Sequence, residues 1–531
     1  MSARGWLRNA RRTIATLPLA GLAAGRAPDA PALPVRDPWP GDPARGVRLL
    51  KGELEQGGGS RSLRLGGWAD ASGPVPLRVA AQSFGWLRDL RALGTDAARL
   101  RARALVADWI AAAPESLAHR PDVIGARIAA WLSHYDFFAA SADDLFRQRL
   151  MGRLLSDARF LSAALPAEEL DARALTALKG LVAAAVAMPE HVAFLSRALR
   201  FLPQEISRQV LADGCHAERS PAAQLAALQD LTEIRALLQS AQVVSPPSLV
   251  SAIERMALAL RAMRHGDGGL ALFNGSKEEQ ALLIELVLTQ AGRAGRAPAA
   301  LPEGGFQRLQ AGRSLLIVDG GPPPPAELDR YAHAGTLSME LSVGRDRMIV
   351  NCGAYLAATA GWQDATRATA AHSTLVIADV NSSELREEGL GRRPGHVAVE
   401  RQEANGSQWL EASHDGWRKP FGAIHRRRLY LAESGEDVRG EDMVEAPTPQ
   451  PYTIRFHLHP NVTANLQQDG EAVLLRLPSG GGWRLRAEGA RLSLEESVYL
   501  GGPEPRRGEQ VVLSNAIDGP QQVKWAITKV G

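Results

Sequence analysis

Cysteine is nearly absent from this chain: Cys215 and Cys352 are the only two in 531 residues. They are too few for a disulfide framework or a Cys-rich zinc module. Aromatics make up 5% of the residues, and Lys occurs at just six positions (51, 179, 277, 419, 524 and 529) against 61 Lys and Arg together. Arg forks suit carboxylate and sulfate groups, although genome composition also produces an Arg-for-Lys bias. No apolar run reaches the ~18 residues that a membrane-spanning helix needs, so integral membrane insertion is excluded. The net charge of +3 is too small to argue for nucleic acid and is compatible with an acidic ligand. What is present is a chain 45% hydrophobic and 22% charged, able to build a sizeable core and long enough for two to four domains.

The N-terminus carries Arg4, Arg8, Arg11 and Arg12 ahead of a mildly apolar stretch, Thr13 to Gly25. Two readings fit: an export signal, with a hint of a twin-Arg type, or a basic amphipathic lead-in interrupted at Pro18. Residues 28–43 (PDAPALPVRDPWPGDP) form a Pro-rich linker. A short strand pair is expected around Gly57-Gly58-Gly59. From Phe84 to about Ala291, segments such as AARLRARALVADWIAAA and PAAQLAALQDLTEIRALLQ space their apolar residues by three and four. Pro and Gly punctuate them. Short connections between helices of similar length predict helical hairpins in a bundle, solenoid or toroid.

Near Gly304-Gly305 the hydrophobic period changes from 3.6 to 2. SLLIVD, TLSMELSV, RMIVNC, STLVIAD, YTIRFHLH and QVVLSN alternate between turn residues. About ten such segments without intervening helices predict antiparallel sheets in a sandwich. The expected domains are a lead-in and linker over 1–46, a helical domain with its strand pair over 47–300, and a β-sandwich over 301–531. The boundary is expected in GRAPAALPEGGFQRLQAG.

Three polar residues stand at adjacent predicted strand ends: His333, Asn351 and His372. Two imidazoles with an oxygen donor suit zinc; three hydrogen-bonded residues closing strand ends fit the spacing equally. On YTIRFHLH, His457 and His459 share a face expected to be solvated or to line a groove. Arg426-Arg427-Arg428 reads as an exposed charge run. His414 to Trp417 reads as a turn whose Trp can stack on a sugar.

Together, GFQRLQAGRSLLIVD, HAGTLSMELSVGRDRMIVNCGAY and AHSTLVI, between 305 and 377, resemble the heparinase II/III family of polysaccharide lyases. Weaker resemblances lie in RPDVIGARIAAWL (120–132), DGCHAERSP (213–221) and HGDGGLALFNG (265–275). The resemblance implies an N-terminal (α/α) toroid followed by an antiparallel β-sandwich. It implies cleavage of a uronate-containing, acidic polysaccharide by β-elimination. That reaction needs a base for the C5 proton, neutralisation of the carboxylate and an acid for the departing oxygen. By carry-over, Arg127 and Trp131 would bind substrate, while His333, Asn351 and His372 would match a zinc site.

Departures from the pattern are specific. The family's His-x-His-x-Asp falls on Tyr331, His333 and Gly335, so Tyr331 stands in place of a catalytic His. Asn351 replaces the zinc carboxylate, which predicts a weak or lapsed metal site. The Tyr of the family's SP-x-Tyr segment falls at Ala223, and its Asn-Asn-His-Gly piece is missing, with ALKGLV over 177–182. Local substitutes for the acid and base are Tyr331 and His216, the latter with Glu218 as orienting partner and Arg219 as carboxylate binder. Two functions follow: a lyase acting on an acidic glycan, or a catalytically lapsed relative that binds an acidic glycan or envelope polymer. Both place the protein at the cell envelope or periplasm, with the cytoplasm as the alternative.

Overall fold

A computed structural model describes residues 27–166, 171–292, 295–355, 360–467 and 470–530. The basic N-terminal stretch read as signal or lead-in lies outside the described residues. No helix among the described residues is long and apolar enough to cross a membrane. The chain divides into two compact units, one of Met1–Gln209 with Ala226–Ile253, the other of Val210–Leu225 with Glu254–Gly531.

The first unit is helical apart from the hairpin β1 (Glu53–Gln56) and β2 (Gly59–Ser62), which pair antiparallel around Gly57 and Gly58. Its helices include Asp96–Ala111, Pro121–Ser133, Asp144–Ala164 and Arg173–Ala187. Asp143 and Thr95 cap two of them by accepting backbone N–H bonds. The second and fourth helices cross at glycines: a Cβ on Gly180 would stand 2.2 Å from the Cα of Gly125. Only glycine permits that approach. Trp109, Trp131 and Phe84 interlock edge to face with ring centroids 5.1–5.9 Å apart.

The second unit holds two sheets built from the remaining seventeen strands. One runs β14 (Thr463–Gln467), β15 (Ala472–Arg476), β16 (Gly482–Glu488), β19 (Gln521–Val530), β12 (Asp437–Glu445), β11 (Ile424–Leu431), β10 (Ser407–His414) and β9 (Val397–Ala404). The other runs β17 (Arg491–Tyr499), β18 (Arg506–Ile517), β13 (Gln450–Leu458), β7 (Asp346–Val350), β6 (Met339–Val343), β5 (Ser314–Asp319), β4 (Phe306–Ala311) and β3 (Ala300–Leu301), with β8 (Leu375–Ile377) pairing β13. Inner residues of both sheets, among them Leu316, Leu341, Phe456, Leu429, Ile527 and Trp525, form one apolar core.

The two sheets differ in their outer faces. Strand β11 alternates exposed and buried, the mark of a sheet with one wet face. Strands β5 and β6 are buried at every position. Three expectations are corrected by this geometry. His457 and His459 are buried: His457 bonds the Ser497 hydroxyl and the Ala370 carbonyl, and His459, just past β13, lies against Glu278 and the Tyr499 ring. Arg427 is 1% exposed, since it is the inward member of its Arg triplet. Trp417 has no exposed surface and donates to the Val380 carbonyl, so it cannot stack on a sugar.

Candidate functional site

In the second unit, a short irregular segment, residues 210–220, precedes the helix Pro221–Ser240 and is pinned by its own side chains. Asp213 accepts from the Cys215 and Gly304 N–H groups at 2.9 and 2.8 Å. Arg219 adopts left-handed φ (52°), at a cost of about 1–2 kcal/mol for a non-glycine residue. Its guanidinium ion-pairs with buried Asp319 and donates to the Gly304 carbonyl at 2.6 Å. Asn274, also left-handed, donates to the Arg219 carbonyl (2.8 Å) and accepts from the His333 N–H (3.0 Å). That one amide joins the DGCHAERSP segment to the strand entry at His333.

His333 and His372 meet directly, with Nδ1 of His333 3.0 Å from Nε2 of His372. Their hydrogen bonds fix the tautomers. His372 Nδ1 lies 2.8 Å from the Ala368 carbonyl, which only accepts, so the His372 proton sits on Nδ1. Its Nε2 therefore accepts, His333 donates from Nδ1, and the Nε2 lone pair of His333 has no hydrogen-bond partner among the described residues. Burial holds both rings neutral: His372 is lowered to about 4, and His333 well below 6.5, where the Arg367 charge adds to the desolvation.

The floor of this pair is made of glycines. A Cβ at Gly335, where the family pattern has an acid, would lie 2.6 Å from the His372 ring. At Gly275 (φ +78°) a Cβ would come within 3.5 Å of Tyr331 and 4.0 Å of His333 Nε2. Tyr331 is 43% exposed, with the Arg330 guanidinium 5.7 Å from its ring. Beyond Gly275, Lys277 places its ammonium 5.9 Å from the Tyr355 ring, and partial burial lowers its pKa. The Cβ and carbonyl oxygen of Tyr331 and the Nε2 of His333 thus flank one glycine.

Asn351 is engaged on both sides of its amide. Its Oδ1 accepts from the Ser373 N–H at 2.9 Å, and its Nδ2 donates to Glu340 at 3.3 Å. Glu340 in turn accepts from His265 Nε2 (2.8 Å), whose Nδ1 takes the Ser342 hydroxyl proton (2.9 Å). Glu340 and His265 are fully buried. Two imidazole nitrogens alone do not make a structural zinc site, and no group of three His, Cys, Asp or Glu residues fit to hold a metal occurs among the described residues. The residues present do not fit zinc.

Other expected site residues lie elsewhere. Arg127 and Trp131 have no exposed surface. Arg127 donates to Asp157 at 2.8 and 3.1 Å and to the Ala118 carbonyl, and lies 4.2 Å from the Trp109 ring centre. Both are core groups of the helical unit, which corrects their reading as substrate binders. His216 is fully buried and bridges Val210; its Nδ1 accepts from the Glu218 N–H at 3.3 Å and stands 3.9 Å from the Glu218 carboxylate, too far for the expected orienting hydrogen bond. Arg219, committed to Asp319, is 4% exposed. Asn274, Glu340 and His265 were not anticipated. HGDGGLALFNG holds two of them, and its Asn before Gly was the signal for a left-handed turn.

Comparison with known proteins accounts for these features. The family model described as Heparinase II/III N-terminus matches residues 101–293, and that described as Heparinase II/III-like, C-terminal, matches 293–526. The chain is 32% identical over 520 residues to FtsZ-localized protein C of Caulobacter vibrioides, covering 93% of this chain and 89% of that protein. Among solved structures, heparinase III superposes with TM-score 0.77 at 14% identity, over 99% of this chain and 89% of that one. Heparan sulfate lyase HepC from Pedobacter heparinus gives 0.61 at 16% identity, over 98% and 87%. Likenesses at such low identity carry the fold: helices first, then antiparallel sheets in a sandwich. With family models across both halves and a relative matched almost end to end, the chain belongs to the heparinase II/III-like family.

Proposed function

We propose that this protein keeps the heparinase II/III fold for binding at the cell-division site, alongside FtsZ, and has given up polysaccharide cleavage. The observation that carries this reading is the 32% identity, sustained over 93% of this chain, to a protein that localises with FtsZ. The heparinase and HepC likenesses are half as strong in sequence. The substitutions agree with it. Ala223 stands where the lyase pattern has Tyr, Asn351 where it has a zinc carboxylate, and Arg127 and Arg219 are committed to buried carboxylates. Its compartment would be that of FtsZ. A fluorescent fusion imaged with labelled FtsZ in the source bacterium tests the proposal. A shared band at the division plane supports it, and a signal that ignores FtsZ overturns it.

A second reading, a divergent lyase for an acidic glycan, has one observation in its favour: the Nε2 lone pair of His333, unpartnered among the described residues, near the exposed Tyr331. In that reading His333 accepts the C5 proton and Tyr331 protonates the leaving oxygen. Incubation with a panel of uronate polysaccharides separates the two, because β-elimination creates an unsaturated uronate with a new ultraviolet band. No band on any of them is the result expected from the binding reading.

A further inference from the structure

We infer a second binding site, for an extended basic peptide, on the wet face of the eight-stranded sheet at its β9 edge. A groove of about 350 Å³ opens there, lined among others by Glu400, Gln402, Trp409, Glu411 and Arg428. Trp409 is 39% exposed and rests against Tyr430 on the next strand, ring centroids 5.1 Å apart and planes at 45°. The register puts Trp409 between Gln402 of β9 and Tyr430 of β11. Two residues along, Glu411 lies between Glu400 and Arg428.

The charges in this row are uneven. Arg428 donates to Glu411 at 2.8 Å and reaches Glu441 at 3.5 Å, and Arg426 lies 3.7 Å from the same Glu411 carboxylate. Glu400 forms no ion pair among the described residues. It faces Glu411, which Arg426 and Arg428 already hold, across the strands, and stands diagonal to the exposed indole. A guanidinium or ammonium placed there would meet the Trp409 face and the Glu400 carboxylate together.

An extended peptide fits better than a compact cation because β9 is the last strand of its sheet. Beyond its ladder with β10, no backbone hydrogen bond reaches Val397–Ala404 among the described residues. Charged residues on an edge discourage indiscriminate pairing, whereas an exposed indole behind them favours capture of a matching strand. A strand added to β9 would present alternate side chains to Glu400 and Trp409.

The test uses the full chain and an eight-residue peptide of alternating Arg and Thr, at 0.15 M salt, followed by calorimetry and tryptophan fluorescence. Saturable binding is expected, weakened at least ~10-fold by Trp409→Ala and by Glu400→Lys. Glu400 is exposed, so its variant folds even if loss of the indole disturbs the sheet. The inference is overturned by absence of binding, by affinity unchanged in Glu400→Lys, or by equal affinity for a Glu–Thr peptide. It is also overturned if a chitosan oligosaccharide binds with the same dependence on Glu400 while the peptide does not. None of these outcomes bears on localisation with FtsZ.

Discussion

Two buried arginines, one in each unit, serve different ends. Arg127 in the helical unit closes on its surroundings: Asp157, the Ala118 carbonyl and the face of Trp109, which Arg153 covers from 4.7 Å. Arg427 in the sandwich reaches outward. It pairs with Asp442 (2.7 and 3.2 Å), a carboxylate also bonded by His425 and Trp525, and donates to the carbonyls of Leu337 and Ser373 at 2.9 and 3.1 Å. Leu337 is left-handed (φ 62°), a strained conformation for a Leu that neighbours must hold in place. Ser373 follows His372. The first arginine is an interior brace; the second also holds the backbone on which the imidazole pair is mounted.

Removing Arg427 is therefore expected to have the largest effect. Arg427→Ala leaves Asp442 as a buried charge with one cationic partner fewer, a loss of roughly 3–5 kcal/mol, read as a lower urea midpoint. It should also disturb the ring resonances of His333 and His372. Arg127→Ala should cost a similar amount and leave those resonances unmoved. Equal perturbation of the imidazoles by both variants would erase the contrast.

Acid sharpens the same comparison. His372, lowered to about 4, and His457, lowered to about 3, are buried and neutral in the sandwich. The unfolded chain protonates its histidines near 6.5, so between pH 6.5 and about 4 it binds more protons than the folded state. Stability must fall as pH drops through that window. Scanning calorimetry at pH 7, 6 and 5 should show the transition temperature falling. His372→Gln should flatten part of the slope, and a slope unchanged in that variant would contradict the assignment.

How far the sequence carried is instructive at single residues. The change of period near Gly304 separated helices from strands, and SLLIVD became β5 unaltered. Seven further strands, β3, β4, β10, β12, β14, β17 and β19, lay outside those segments; in DVRGEDMVE and its like, charge on the wet face dilutes the alternation. TLSMELSV misled in the opposite way. Its Ser and Glu residues alternate with the apolar ones, yet Glu340 is fully buried in a strand buried at every position. Periodicity reports which residues share a face, and what covers that face depends on segments distant in the chain. The membership of 210–225 in the sandwich unit was invisible for the same reason. The site pair His333 and His372, 39 residues apart, was legible from their positions at adjacent predicted strand ends, and the resemblance added their match to a metal site.

Asn351→Asp should have an intermediate effect. The new carboxylate would face Glu340 where Asn351 now donates a hydrogen bond at 3.3 Å. In metal-free buffer the variant should lose about 1–3 kcal/mol. A carboxylate is also the better zinc ligand, so added zinc should recover part of that loss in the variant and do nothing for the unmodified protein. Elemental analysis checks the starting point: stoichiometric zinc in the unmodified protein would refute the conclusion that these residues do not fit it.

The smallest effect on folding is expected from Tyr331→Phe, and its value lies in that smallness. The phenol is attached to a half-exposed ring beside Gly275, away from the sandwich core, so removing one oxygen should shift stability by no more than ~0.5 kcal/mol. A variant with unchanged folding gives a clean comparison between the two functional readings. If the protein is a binder at the division site, Tyr331→Phe should localise as the parent does and neither protein should generate the ultraviolet band. If the parent produces the band, the variant should lose it by the ~10²–10⁴-fold typical of a missing general acid, with the urea midpoint unmoved. A parent that cleaves and a variant that cleaves equally well would remove Tyr331 from the chemistry and leave the His333 lone pair as the group to test, by His333→Gln, against the same substrates.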